Sequence, residues 1–214
     1  MTTERPFAQE TFARLLELVS ARTPTPGGGS VAALCGALGA ALGCMAVRFS
    51  MKRRESTVEH EAVLEPVERG LLECAARLAA LADADAASFE AVRQARKFPQ
   101  ATDAERAARD VAIRSSTLDA AEVPMRTARI CREAMELLDG VASALNPNLA
   151  TDGGSGATLL RSGVRCAGWN VLVNLVGDAS PAAAARRLEL DQLLARTAEL
   201  EQRLVAPCER LRPT

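Results

Sequence analysis

The chain has no tyrosine, one tryptophan and five phenylalanines in 214 residues, so aromatics make up 3% of a sequence that is 48% hydrophobic. Sheets draw on aromatic and β-branched residues, and no strand-like alternation lies between the turn signals. Helices packed on Ala and Leu are therefore expected in place of a sheet. Histidine is almost absent too: His60 stands alone, and Cys35, Cys44, Cys74, Cys131, Cys166 and Cys208 form no C-x-x-C pair. A zinc site is not expected from such a set. Nor is charge of either sign in excess, with 26 basic and 27 acidic residues and a net charge of −1. That balance argues against nucleic acid as a partner, because phosphate neutralisation needs a concentrated basic surface. The N-terminus carries no signal-peptide pattern, so a cytoplasmic protein with reduced, buried cysteines is expected. With no repeat, low-complexity tail or long linker, residues 1–214 read as a single domain.

The most informative stretch is TPTPGGGSVAALCGALGAALGC, Thr23 to Cys44. Pro24 and Pro26 restrict the approach to extended backbone. Gly27, Gly28 and Gly29 then allow close approaches that a β-carbon would block. Ser30 reads as the N-cap of a helix beginning at Val31. The unpaired amides of such a first turn suit a carboxylate, a phosphate or a polarised carbonyl. No Gly-Lys-Ser or Gly-Lys-Thr follows, which argues against a nucleotide phosphate loop. Gly36, Gly39, Ala40 and Gly43 recur at helical spacing and leave one face nearly bare for another helix. Bare faces of this kind also occur in membranes. Here Arg48 interrupts the apolar run and Lys52, Arg53 and Arg54 follow it, so a buried helix of a soluble protein is the expectation.

Elsewhere the periodicity is helical. Phe12, Leu15, Leu16 and Val19 mark an amphipathic helix within Pro6 to Ala21. A long segment from about Thr57 to Lys97 is expected to kink or begin at Pro66, and another from Asp103 to Ser143 to bend at Pro124, with Thr102 or Asp103 as cap. Val111, Leu118, Ile130, Met135 and Leu138 are core candidates there. Asn146 to Gly156 reads as turn chemistry. Ala157 to Val176 and a last segment from Pro181 resume as helix, the latter with Leu190, Leu193, Leu200 and Leu204 on one side.

Several polar residues stand out. Asp152, between Thr151 and Gly153, reads either as a carboxylate held by loop amides or as a helix cap. Asn170 and Asn174 share a face of an apolar helix, where unpaired burial costs about 1–3 kcal/mol each. Asp83, Asp85 and Glu90 cluster late in the third segment and could serve as acid or base if burial raised a pKa, or simply form a solvated face. His60, between Glu59 and Glu61, reads as exposed. Lys52, Arg53 and Arg54 could hold a ligand carboxylate.

Taken together, these residues resemble a known family. TPTPGGGSVAALCGALGAALG, DADAASFEAVRQARKFP, AAEVPMRTARICREAMEL and the NPNLATDGGSGA loop followed by GWNVLVNL match, in order, the cyclodeaminase/cyclohydrolase family of folate enzymes. The resemblance implies an all-α fold, a single-domain helical bundle of long, partly kinked helices around the small-residue helix, forming a homodimer. It also implies a tetrahydrofolate derivative bound near the subunit boundary, without metal or further cofactor. Carried onto this sequence, Asp85 and Asp152 are the catalytic candidates, and Gly27, Gly28, Gly29, Ser30, Asn170 and Asn174 line the substrate, with Lys52, Arg53 or Arg54 toward its glutamate tail. The implied reaction is hydrolysis of 5,10-methenyltetrahydrofolate. Two alternatives stand beside it: formiminotetrahydrofolate cyclodeamination, fed by a separate formiminotransferase, or folate binding with impaired catalysis. The last is prompted by two departures. MKRREST stands where the family has a Gly-Lys-Lys-Tyr-like segment, and TDGGSG replaces Ser-Asp-Ala-Gly-Val.

Overall fold

The computed structural model describes residues 5–51 and 56–210. Six α-helices carry the fold: α1 (Phe12–Ser20), α2 (Gly28–Ser50), α3 (Val58–Ala95), α4 (Asp103–Gly140), α5 (Ala150–Asn174) and α6 (Pro181–Glu209). No strand occurs among the described residues, as the composition led us to expect. Four helices start on a side chain that satisfies an otherwise unpaired amide. Thr11 accepts from Arg14, Thr57 from His60 and Ser180 from Ala183, while Thr102 forms a reciprocal capping box with Glu105.

α2 is the centre. It packs between α3 and α5 while α4 spans α3, α5 and α6 from one side. By length and hydropathy α2 could cross a membrane, yet here Ala32, Ala33, Ala40, Ala46 and Val47 are buried inside the protein. Its glycines explain how it fits. A β-carbon on Gly39 would lie 2.8 Å from the backbone oxygen of Gly156, and one on Gly156 would lie 2.9 Å from that of Gly39. Gly36 makes room for the Cys131 sulfur and Gly43 for Leu138 in the same way. Contacts pair Gly28 with Asn170, Gly36 with Gly163 and Gly43 with Gly156, so α2 and α5 run antiparallel.

Several expectations need correcting. Ser30 is not the cap: Gly27 is, and α2 starts at Gly28, leaving Ser30 inside the first turn. α3 begins at Val58 and not at Pro66, and both α3 and α4 run on through their prolines, with Leu64, Val67 and Met125 buried around them. The stretch read as a turn is mostly helix, since only 147–149 form a 3₁₀ turn before α5 begins at Ala150. Two of its glycines serve packing: Gly154 faces the Cys208 sulfur and Gly156 the Gly39 carbonyl, whereas Gly153 has nothing near it. Finally, the apolar stripe of α1 faces outward, with Phe12 and Leu16 exposed, and Val111 is exposed as well.

Ion pairs tie the outer helices to α4. Arg129 binds Glu189 of α6 through two bonds of 2.6 and 2.8 Å, Arg203 of α6 binds Asp139 at 2.8 and 2.9 Å, and Arg77 of α3 binds Glu133.

Candidate active site

The N-terminus of α2 has no side-chain cap of its own, and a carboxylate from α3 occupies the space beside it. A β-carbon at Gly29 would stand 2.2 Å from Asp85 Oδ1 and 2.6 Å from its Cγ. Only glycine leaves that seat open. Asp85 Oδ2 then accepts from the Ser30 hydroxyl at 3.0 Å, while the same hydroxyl lies 2.9 Å from the Ala82 carbonyl oxygen. Burial pushes the Asp85 carboxyl above its ordinary value of 3.8, and the Ser30 hydroxyl and amide pull it partly back. A carboxyl poised in this way can both take up and return a proton.

α5 brings a second polar group to the same place. Asn170 faces Gly28, its amide nitrogen 3.2 Å from where a β-carbon there would lie, and donates to the Cys166 carbonyl at 2.8 Å. Asn174, one turn on, donates to the Asn170 carbonyl at 3.0 Å and reaches the Ala120 carbonyl at 3.4 Å. The two amides thus share a face, as their spacing predicts, and helix carbonyls satisfy them.

A cleft of about 870 Å³ opens between residues 5–26 and the end of α3, walled by Phe7, Arg14, Pro24, Pro26, Phe89 and Arg93; it meets this cluster through Ala86, the residue after Asp85, and not through Asp85 itself. The Phe7 amide donates to Asp83 Oδ1 at 3.0 Å and so fastens the N-terminal segment to α3. Asp83 is therefore occupied structurally. Glu90 is held at about 2 by Arg93 and Gln94, which keeps it ionised and unsuited to proton exchange near neutrality. Phe89 lies four residues beyond Asp85 on the same face of α3, a neighbour that the i, i+4 spacing could have disclosed.

Asp152 lies elsewhere. It sits in the first turn of α5, beyond the Gly156–Gly43 contact, and the antiparallel pairing puts it at the opposite end of α2 from Asp85. The 1.5 Å rise per residue separates the two by roughly 25 Å within one chain. At that end His60 Nε2 is 3.1 Å from the Ser50 carbonyl oxygen, close to the C-terminus of α2, and so away from Asp85. Lys52, Arg53 and Arg54 lie outside the described residues. Among the described residues no three His, Cys, Asp or Glu side chains gather as metal ligands.

Fold and site together define a class: an all-helical protein that sets a half-buried carboxylate on a glycine-opened helix start, next to a cleft large enough for a small molecule. Within that class the chain belongs to the formiminotransferase-cyclodeaminase family, whose model matches residues 11–206. It is 36% identical to a methenyltetrahydrofolate cyclohydrolase of Methylorubrum extorquens over 91% of this chain and 94% of that protein. The mouse formimidoyltransferase-cyclodeaminase is 37% identical over 73% of this chain, which spans 29% of that longer protein. The crystal structure of formiminotetrahydrofolate cyclodeaminase from Thermotoga maritima superposes with a TM-score of 0.83 at 27% identity, covering 95% of this chain and 98% of that one.

Proposed function

We propose that the chain hydrolyses 5,10-methenyltetrahydrofolate to 10-formyltetrahydrofolate, with Asp85 as the proton-handling group. The observation that carries this reading is the Asp85 carboxylate seated against Gly29 and Ser30, with its proton affinity raised by burial and a cleft beside it. End-to-end similarity to a cyclohydrolase favours the hydrolytic reaction.

The substrate's amidinium carbon is already electrophilic. Ionised Asp85 takes a proton from water as the oxygen attacks that carbon, giving a neutral carbinolamine. The protonated carboxyl then returns the proton to N5 as the carbon–N5 bond breaks, and the carbinol hydroxyl loses its own proton to solvent as the formyl C=O forms. One proton is released per turnover. The exposed amide edge at Gly28 and the Asn170 side chain orient the pterin, and Phe89 with Pro24 and Pro26 walls the bound ligand. Loss of methenyl absorbance with purified protein tests this. Turnover above the spontaneous rate is expected, and a folded protein that gives none defeats the reading.

Cyclodeamination is the second reading, favoured by the likeness to the T. maritima cyclodeaminase. Ammonia release from 5-formiminotetrahydrofolate separates the two, with a separate formiminotransferase supplying that substrate.

A homodimer belongs to the same proposal. Val31, Leu38 and Phe49 of α2 form one exposed stripe, and Trp169 and Val173 of α5, with Val176 in the turn just beyond it, form another. Apolar stripes on the central helix pair call for a second layer, and a second copy of the same surface supplies one. A two-fold axis crossing α2 near its middle would bring Asp152 of the second copy beside Asp85 of the first. That arrangement gives Asp152 a part in the site that a single chain denies it.

A further inference from the structure

Among the described residues four hydroxyl side chains are buried: Ser30, Ser50, Thr127 and Thr197. Three of them donate to a carbonyl four residues back on their own helix, namely Ser50 to Ala46, Thr127 to Val123 and Thr197 to Leu193. Ser30 differs. It belongs to α2, and both acceptors in its reach belong to α3: the Ala82 carbonyl oxygen at 2.9 Å and Asp85 Oδ2 at 3.0 Å. A hydroxyl has one hydrogen, so it cannot satisfy both acceptors at once.

We propose that Ser30 is a two-position hydroxyl that keeps Asp85 hydrogen-bonded in both of its protonation states, a positioning residue and not a substrate contact. The proposal rests on the reading of Asp85 as the proton-handling group. When Asp85 is ionised, the Ser30 hydrogen points to Oδ2. When Asp85 is protonated there, its own hydrogen is donated to Ser30 Oγ, and the Ser30 hydrogen turns to the Ala82 carbonyl oxygen. No proton passes through Ser30; only its O–H bond rotates. The half-buried carboxyl can therefore gain and lose charge without moving a heavy atom, which is what a site arranged in advance of reaction requires. Ser30 is 0% exposed, so it has no surface with which to touch a ligand.

Beside the Ser30 amide, which can donate to the carboxylate but cannot accept from its protonated form, the surroundings leave the task to this hydroxyl. α2 carries no charged side chain before Arg48, and its nearest titratable group is Cys35. α5 presents the Asn170 amide, with the Cys166 thiol a turn away. On α3, Asp83 accepts from the Phe7 amide, and Glu90 is paired with Arg93 and Gln94. Arg5, Glu10, Arg14 and Glu17 of the N-terminal segment line the cleft beyond.

The test is a carbon-13 titration of the aspartate carboxyls without substrate, with the Asp85 signal identified by its loss in Asp85→Asn. Ser30→Ala removes a donor to the carboxylate, and its Asp85 midpoint is expected about one pH unit above the unmodified protein's. Ser30→Cys, close in shape but a weak donor, is expected to fall between. It also serves as the test should the alanine protein not fold. An unchanged midpoint in whichever of these variants folds overturns the proposal. The pH limb of kcat assigned to Asp85 should move by the same amount in turnover measurements. If the midpoint shifts in a protein that shows no turnover, the hydroxyl's role stands and the catalytic reading falls.

Discussion

Asp85 shows how far one residue's surroundings decide its use. Burial raises its proton affinity, so between the ordinary value of 3.8 and the raised one the folded protein holds a proton that the unfolded chain has released. Stability contributed by this group therefore falls as pH rises through that window, the reverse of a salt-bridged aspartate. Asp85→Asn should accordingly melt roughly 1–3 °C higher at neutral pH, with the gain vanishing well below pH 4, while turnover drops ~10²–10⁴-fold. Melting curves at several pH values beside an activity assay check both parts. Gly29→Ala makes a complementary case. Its new β-carbon meets the end of a movable side chain, so the carboxylate swings away and activity should fall much further than the melting temperature. Sequence reading singled out Asp85, the glycines and Asn170, and only the family resemblance put them in one site. Periodicity and spacing could not, because Ser30 and Asp85 are 55 residues apart and the crossing of α2 and α3 joins them.

Among the helices, α2 and α5 are fixed to each other by backbone against backbone. Gly39→Ala should cost about 3 kcal/mol or more, because neither helix can yield where its β-carbon meets the Gly156 oxygen at 2.8 Å. Gly140→Ala, at the last turn of α4 with nothing within 4 Å, should instead gain about 0.5–1 kcal/mol. Urea unfolding of the two variants gives the comparison. The same contrast explains what was legible at this scale. Helix starts at Thr57, Thr102 and Ser180 were marked by residues with local reasons to be there. The TDGGSG stretch misled because Gly156 answers to α2 and Gly154 to α6, whose positions a local reading does not contain.

At the scale of the whole molecule, two features ask for a second copy: apolar stripes on the central helix pair, and two carboxylates at opposite ends of it. Leu38→Glu is placed on a 63% exposed position, so it should leave the single chain folded and shift sedimentation from the proposed dimer to a monomer. The proposed division of the site has its own signature. Asp85→Asn and Asp152→Asn proteins, each inactive, should recover about a quarter of full activity after mixing and exchange, since half the dimers would then hold one intact site. An Asp152→Asn protein that keeps its activity would show that Asp152 does not act, and no recovery despite proven exchange between two inactive proteins would show that the site is not shared between chains. Sequence reading supplied the helical class and the leucine face of α6. The outward stripe of α1 escaped it, because amphipathic spacing says that a face is apolar without saying what covers it.

The contact between α2 and α5 also sets an order of events during synthesis. Cys35 bonds the carbonyl of Leu159, 124 residues further along the chain. A ribosome adding about 5–20 residues per second therefore releases the most apolar helix many seconds before the helix that covers its glycine face. Through that interval the nascent chain carries a segment with the length and composition of a membrane anchor, and α3 alone cannot cover the face that α5 will take. Its yield in a cell should thus depend on what shelters α2 until α5 emerges, more than on the stability of the finished fold.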